Sequence, residues 1–263
     1  MELEGKICVL TGASSGIGRT AAVDLASHGM TVCVVARRKD LLQQLVEELP
    51  GNGHSYVVAD VSDVEQVRSV ERHVRATYGS LHALVNNAGF TRGGEFTGED
   101  SLDAVRAVIE TNYLGTVNAC AVFLPLLEAS APSRIVNVAS MAGRLAFPRS
   151  SAYVASKFAV VGWSESAAFD LSPRGISVCL IEPGPIPTEG FPQESLVGHP
   201  LLARALGSQQ DVADAIRSAI IKGTPTRAVP RWYRPLQLPR LIAPPLYRFL
   251  AGRLTRGHTV ERD

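Results

Sequence analysis

A chain of 263 residues with 46% hydrophobic and 19% charged side chains has ample material for a buried core and is not disordered by composition. Its formal net charge of +1 gives no global attraction to nucleic acid or to acidic surfaces. Four cysteines without a C-x-x-C pair, and six histidines without metal-ligand spacing, point to buried free thiols in a reducing compartment and weigh against any metal site.

The chain opens Met-Glu-Leu-Glu-Gly-Lys, with no basic segment leading into an apolar run. No secretory signal is expected there, and a cytoplasmic protein is. Short apolar runs then alternate with helix-length segments. Strands are expected at 7–10, 31–36, 55–59, 83–86, 134–138 and 176–181, and helices at 16–28, 40–48, 63–78, 102–127 and 151–171. The strand runs are near-continuous in Val, Ile, Leu, Ala and Cys, as in a parallel sheet covered on both faces. Repeated strand–helix–strand units imply right-handed crossovers and a Rossmann-type, doubly wound α/β sheet of about seven strands. Residues 1–226 are expected to form a single domain. Positions 227–263 hold eight arginines, no lysine and two acids, a charge of +6 against −5 for the rest, and six of the sixteen prolines fall between Pro225 and Pro245. This stretch reads as a basic extension. No apolar stretch approaches the roughly 20 residues of a spanning helix.

The turn Thr11-Gly12-Ala13-Ser14-Ser15-Gly16-Ile17-Gly18 joins the first strand to the first helix. Gly12, Gly16 and Gly18 let the amides around Ser14, Ser15 and Ile17 approach a pyrophosphate, whose charge the helix N-terminus favours. The spacing is G-x-x-x-G-x-G, not G-x-G-x-x-G, and a tight strand-to-helix connection is the alternative. After the second strand, Val35-Ala36-Arg37-Arg38-Lys39 sets a small residue where an acid would bind a ribose 2′-hydroxyl, then three cations. Arg37, with Arg38 beside it, suits a 2′-phosphate, so the expected cofactor is NADP(H). A solvated basic turn is the competing reading.

Tyr153 and Lys157 lie four apart in Tyr-Val-Ala-Ser-Lys, which puts phenol and ammonium on one face of a helix. A tyrosine ordinarily titrates near pH ~10, and a neighbouring cation lowers that value toward the working range of an acid–base group. By itself Y-x-x-x-K is usually a solvated helix face.

Taken together, Thr11 to Gly18, Asp60, Asn86-Asn87-Ala88-Gly89, Asn112, Ser140, Tyr153 to Lys157 and Pro183-Gly184-Pro185-Ile186-Pro187-Thr188 resemble the short-chain dehydrogenase/reductase family. They stand in its order and spacing across about residues 5–225. The resemblance implies that Asp60 hydrogen-bonds an adenine with Val61 beside it, although a helix cap is another role for that carboxylate. It implies that Asn86, Ala88 and Gly89 pack on the adenosine side of the cofactor. Ser140 would donate to the substrate oxygen, Tyr153 would give or take the proton, and Lys157 would bind the nicotinamide ribose and lower the tyrosine pKa. Asn112 would hold a water in a proton relay to Lys157, or be a satisfied polar residue of a helix. Pro183, Gly184, Ile186 and Thr188 would run beside the nicotinamide. The resemblance also implies a homo-oligomer, dimer or tetramer, assembled through the helices around Asn112 and Tyr153.

The expected reaction is interconversion of a carbonyl and an alcohol. In this family the region corresponding to residues 189–206 is a substrate lid, and Phe191, Leu196, Val197, Leu201, Leu202 and Leu206 suggest a lipophilic substrate or simple core packing. Met141, Arg144 and Phe147 are further lining candidates. Arginines flanking residues 236–250 could anchor an amphipathic segment at an anionic membrane, or the segment packs on its own domain or a partner subunit. Two other functions fit: an NADP(H)-sensing protein without catalysis, which has no need of Asn112, Ser140, Tyr153 and Lys157 together, and a reductase of carrier-bound 3-oxoacyl chains, which would use a basic docking patch.

Overall fold

Seven parallel strands form one sheet in the order β3-β2-β1-β4-β5-β6-β7. They are β1 (Ile7–Thr11), β2 (Thr31–Ala36), β3 (Ser55–Val58), β4 (Ala83–Asn86), β5 (Ser133–Val138), β6 (Ile176–Pro183) and β7 (Thr226–Val229). The computed structural model describes all residues except 93, 95, 147, 190–205 and 257–263. Helices α1 (Gly16–Ser27), α2 (Lys39–Glu48), α3 (Val64–Tyr78), α4 (Leu102–Ile109), α5 (Gly115–Ala129), α6 (Ser151–Leu171) and α7 (Gln209–Lys222) flank the sheet, and α8 (Leu238–Ile242) and α9 (Pro244–Arg256) follow it.

The strands explain their own composition. Successive side chains point to opposite faces, and each face has a separate core. Cys8, Leu10, Val32 and Val34 pack with Leu25, Ile216 and Ile220, while Val9, Cys33 and Val35 pack with Val70, Phe123 and Leu127. Each such buried Leu, Ile or Phe stabilises the fold by about 1.5–3 kcal/mol. Chain order reverses on the two sides of β1, so the crevice between β1 and β4 lies at the switch point where open α/β sheets bind ligands.

Two elements differ from the sequence reading. The expected helix 102–127 is broken by a single π turn, Glu110–Leu114, between α4 and α5. There the backbone of Gly115 passes so close to Val61 that a Cβ would sit 2.5 Å from its Cγ2, and the wider turn swings Asn112 inward. The combined run Leu102–Ala129 also has the length and apolar content to cross a membrane, contrary to expectation. In this fold its Phe123, Leu126 and Leu127 are buried in the core. Strand β7 reaches past the compositional change at residue 226 to pair with β6.

Candidate active site

A cavity of about 770 Å³ opens at the carboxyl ends of the strands, where β1, β2, β4, β5 and β6 run into their loops. The glycine turn forms one wall, with Gly12, Ser14, Ser15, Gly16 and Ile17 lining it. Gly12 adopts φ +69°, and a Cβ there would lie 2.6 Å from Ala88 Cα. Gly16 adopts φ +56° and leaves 3.2 Å between its would-be Cβ and Thr188. Gly18 lies behind the wall rather than on it: a Cβ would strike the Gly12 carbonyl, so only glycine lets α1 start this close to β1. A second brace was not anticipated. Thr11 Oγ1 accepts from the backbone N–H of Asn87 and Ala88 at 3.1 and 3.2 Å, and Asn87 Nδ2 donates to Thr11 O and Gly12 O at 3.2 and 3.1 Å. The ends of β1 and β4 are thereby locked together, which sets the width of the crevice.

The far end of the cavity is polar and charged. Arg38 donates from Nη2 to Ser15 Oγ at 2.6 Å and to Ser14 Oγ at 3.0 Å, and pairs with Glu189 at 3.2 Å. Arg37 lies at the rim, 3.5 Å from Asp60 Oδ2. Burial works to raise the Asp60 carboxyl, but hydrogen bonds from Ser62 and the nearby Arg37 outweigh it and hold the group below its usual range. Asp60 is not the cap of α3. Asp63 is, accepting from Glu65 N and Gln66 N at 2.9 and 3.3 Å. Asp60 and Val61 line the cavity, as do Ala88 and Gly89.

At the other end Ser140, Tyr153 and Lys157 face the same space, with Pro183, Gly184, Ile186 and Thr188 opposite. Ser140 follows β5 in extended conformation; its Oγ accepts from Ala142 N at 3.1 Å, donates to Pro183 O at 3.3 Å, and is hydrogen-bonded to the Tyr153 hydroxyl. Lys157 is buried on α6, with Nζ donating to Val138 O at 3.0 Å and lying 5.8 Å from the Tyr153 ring centroid. Burial pulls the lysine down to about 8. The expected direction for the phenol is reversed: burial pushes Tyr153 up, the Ser140 hydrogen bond offsets only part of this, and the ammonium is turned toward a carbonyl rather than the phenol oxygen.

Three predicted site residues do not reach the cavity. Besides Gly18, Asn86 is buried beneath it, donating to Asn137 Oδ1 at 2.9 Å and to Cys120 Sγ at 3.2 Å. Asn137 in turn donates to Ser164 Oγ at 2.8 Å, so this chain ties β4 and β5 to α6. Asn112 is also buried, and its side chain is bonded through both its oxygen and its nitrogen. Its Oδ1 accepts from Phe90 N and its Nδ2 donates to Phe90 O, both at 2.9 Å, with a further bond to Ser156 Oγ at 3.0 Å. Ser156 Oγ donates to Tyr153 O at 2.7 Å. Asn112 therefore fastens the Phe90 loop to the helix that carries the tyrosine and lysine. Of the further candidates, Met141 lines the cavity. Arg144 does not; it is held by Glu182 at 2.6 Å and Glu165 at 2.5 Å, which cancels the charge proposed for an acidic substrate. Phe147 and nearly all of the expected lid lie outside the described residues.

A family model described as short chain dehydrogenase matches residues 6–195. A farnesol dehydrogenase of Aedes aegypti is 35% identical over 232 residues, covering 85% of this chain and 92% of that protein. A 3-oxoacyl-[acyl-carrier-protein] reductase FabG of Thermotoga maritima is 36% identical over 227 residues, covering 82% and 90%. Among solved structures, a short chain dehydrogenase from Burkholderia cenocepacia in complex with NADP gives a TM-score of 0.80 at 26% identity, covering 95% of this chain and 99% of that one. A short chain dehydrogenase/reductase from Burkholderia phymatum in complex with NAD gives 0.76 at 29% identity, covering 100% and 99%.

Proposed function

Because the chain belongs to the short-chain dehydrogenase family of oxidoreductases, we propose that it interconverts a lipophilic carbonyl compound and its alcohol with NADP(H). The observation that carries this reading is one continuous cavity with a glycine cradle at one end and the bonded pair Ser140 and Tyr153, with Lys157, at the other. The cradle suits a dinucleotide: Gly12, Ser14, Ser15, Gly16 and Ile17 line the cavity at the N-terminus of α1, which favours a pyrophosphate. The bound cofactor supplies or accepts the hydride.

The protein handles the proton. Burial keeps the Tyr153 phenol protonated at neutral pH, so in the reductive direction it is an available donor to a developing alkoxide, a far stronger base than phenolate. The Ser140 hydroxyl stabilises the oxygen on which charge develops. Lys157 is cationic below its value of about 8 and lies 5.8 Å from the Tyr153 ring centroid, so its charge favours the phenolate left behind across space while its hydrogen bond goes to Val138 O. Asn112 acts as a positioning residue, holding the Phe90 loop against α6.

Arg37 and Arg38 support NADP(H) over NAD(H), because both line the cavity and a guanidinium beside Ser14 and Ser15 suits a 2′-phosphate. Phe90, Met141, Pro185 and Ile186 make an apolar wall suited to a lipophilic substrate. A carrier-bound 3-oxoacyl chain is the second reading, favoured by the Thermotoga relative. Four buried free thiols support a reducing, cytoplasmic setting. The test is to incubate the enzyme with NADPH deuterated at the nicotinamide C4 and a panel of ketones, aldehydes and 3-oxoacyl thioesters. Deuterium in an alcohol product is expected; a panel with no labelled alcohol contradicts the activity.

A further inference from the structure

After β7 the chain runs through a helical turn, Arg231–Gln237, into α8 and α9. The inward side of this segment is packed. Tyr233 is buried with Met141, Leu145 and Ala228, and its ring takes the space that a side chain at Gly184 would need. The Tyr247 hydroxyl accepts from Ala146 N at 2.8 Å and donates to Ala146 O at 2.6 Å. Arg240 donates to Arg144 O at 2.8 Å and lies over the Phe158 ring. The segment is thus fastened to the turn that follows Ser140, and it touches the cavity-lining Met141.

Its outward side is apolar and basic together. Trp232, Leu236, Leu238, Leu246 and Phe249 are exposed, and Leu241 and Ile242 are 68% and 78% exposed. Spacings of three and four put Leu238, Leu241 and Ile242 on one face of α8, and Leu246 and Phe249 on one face of α9. So many large apolar side chains in one stretch mark an interaction surface. Residues 227–256 include seven arginines and no acid. The Arg253 guanidinium lies 4.6 Å from the Phe249 ring centroid, which pairs a cation with an exposed aromatic. Lys222, Arg227, Arg231 and Arg234 also line a separate cleft of about 410 Å³. Arg227 Nε is buried there with no partner among the described residues. Asp214 and Glu182 are the carboxylates near Arg227 and Arg234.

We propose that residues 231–256 dock this protein on an anionic lipid bilayer, with the exposed apolar side chains at the acyl boundary and the arginine-lined cleft on lipid phosphates. A second copy is a poor occupant, since the six arginines of this segment would meet six others. An uncharged apolar partner would leave the cations uncompensated. Resting on the proposed oxidoreductase activity, one consequence is that substrate dissolved in the bilayer reaches a cavity fastened beside the docking segment.

Flotation of the full chain tests this, using vesicles of phosphatidylcholine alone and vesicles that also contain phosphatidylglycerol. The protein is expected to rise with the anionic vesicles, to rise far less with the neutral ones, and to be released by high salt. Leu241→Glu with Ile242→Glu is expected to lower the bound fraction about tenfold while the thermal melt is unchanged. Arg248→Gln with Arg253→Gln is expected to lower it about tenfold as well, and guards against misfolding of the first variant. The proposal is overturned if the wild-type chain stays at the bottom with both vesicles, or if both double variants float like wild type. It also falls if Leu241→Glu with Ile242→Glu splits an oligomer and leaves flotation intact, because the face then joins two copies. Flotation without carbonyl turnover would sink the enzymatic reading and leave the docking surface standing.

Discussion

Lys157 and the arginine pair carry the sharpest consequences for single residues. The lysine titrates near 8 in the fold against an ordinary 10.5, because burial disfavours its charge. Between those values the unfolded chain binds more protons, so stability rises with pH across that window and is lowest below pH 8. Lys157→Met removes the charge from the native state. At neutral pH it should gain stability relative to wild type by up to about 3 kcal/mol, and thermal melts should show that gap closing as pH rises from 8 to 10. A gap independent of pH would refute the buried-charge account. The reductive rate should likewise fall above pH 8, as the cation beside Tyr153 is lost. The arginines separate by what they touch. Arg38 reaches both serines of the glycine turn, whereas Arg37 reaches Asp60 alone among the described residues. Arg38→Ala should weaken NADPH binding tenfold or more, on the order of 1.5–3 kcal/mol for a charge-assisted contact, and spare NADH. Fluorescence titration measures both, and equal losses would remove the 2′-phosphate assignment.

Among elements, the strands of the sheet interior were legible because two-sided burial forces unbroken apolar runs, and the glycine turn was legible because its conformation excludes side chains. What stayed hidden has physical reasons. β7 is a short edge strand, Thr226-Arg227-Ala228-Val229, whose arginine masks it. The π turn at Glu110–Leu114 uses residues that an ordinary helix would also accept. Of two consecutive asparagines, pattern alone cannot say that Asn87 ties the glycine turn while Asn86 points into a buried chain with Asn137 and Ser164. Nor does local sequence reveal that Tyr247 fastens to Ala146, about a hundred residues away. The contact between α1 and β1 gives a direct test. Gly18→Ala puts a methyl against the Gly12 carbonyl and 2.6 Å from Asn87 Nδ2. Urea unfolding should show a loss of about 1–3 kcal/mol, the range for overpacking; a neutral result would contradict the packing.

For the whole molecule, the sheet brings the glycine turn and Tyr153 to one cavity, while the last turns of α6 pack Trp163, Ala167 and Leu171 on the core and leave Phe169 outside. Phe169 on that helix is 81% exposed, and Leu114 at the end of the π turn is exposed. We propose that these cover each other across a homo-oligomer. Phe169→Glu should then lower the mass seen by light scattering, and an unchanged mass would argue against this interface. The central claim is that the Tyr153 hydroxyl moves the proton while other groups hold the cofactor. It is tested most directly by Tyr153→Phe, measured for NADPH binding and for reductive turnover in one preparation. The account predicts affinity within about threefold of wild type and turnover down by about a hundredfold or more. Turnover close to wild type with cofactor still bound would contradict it.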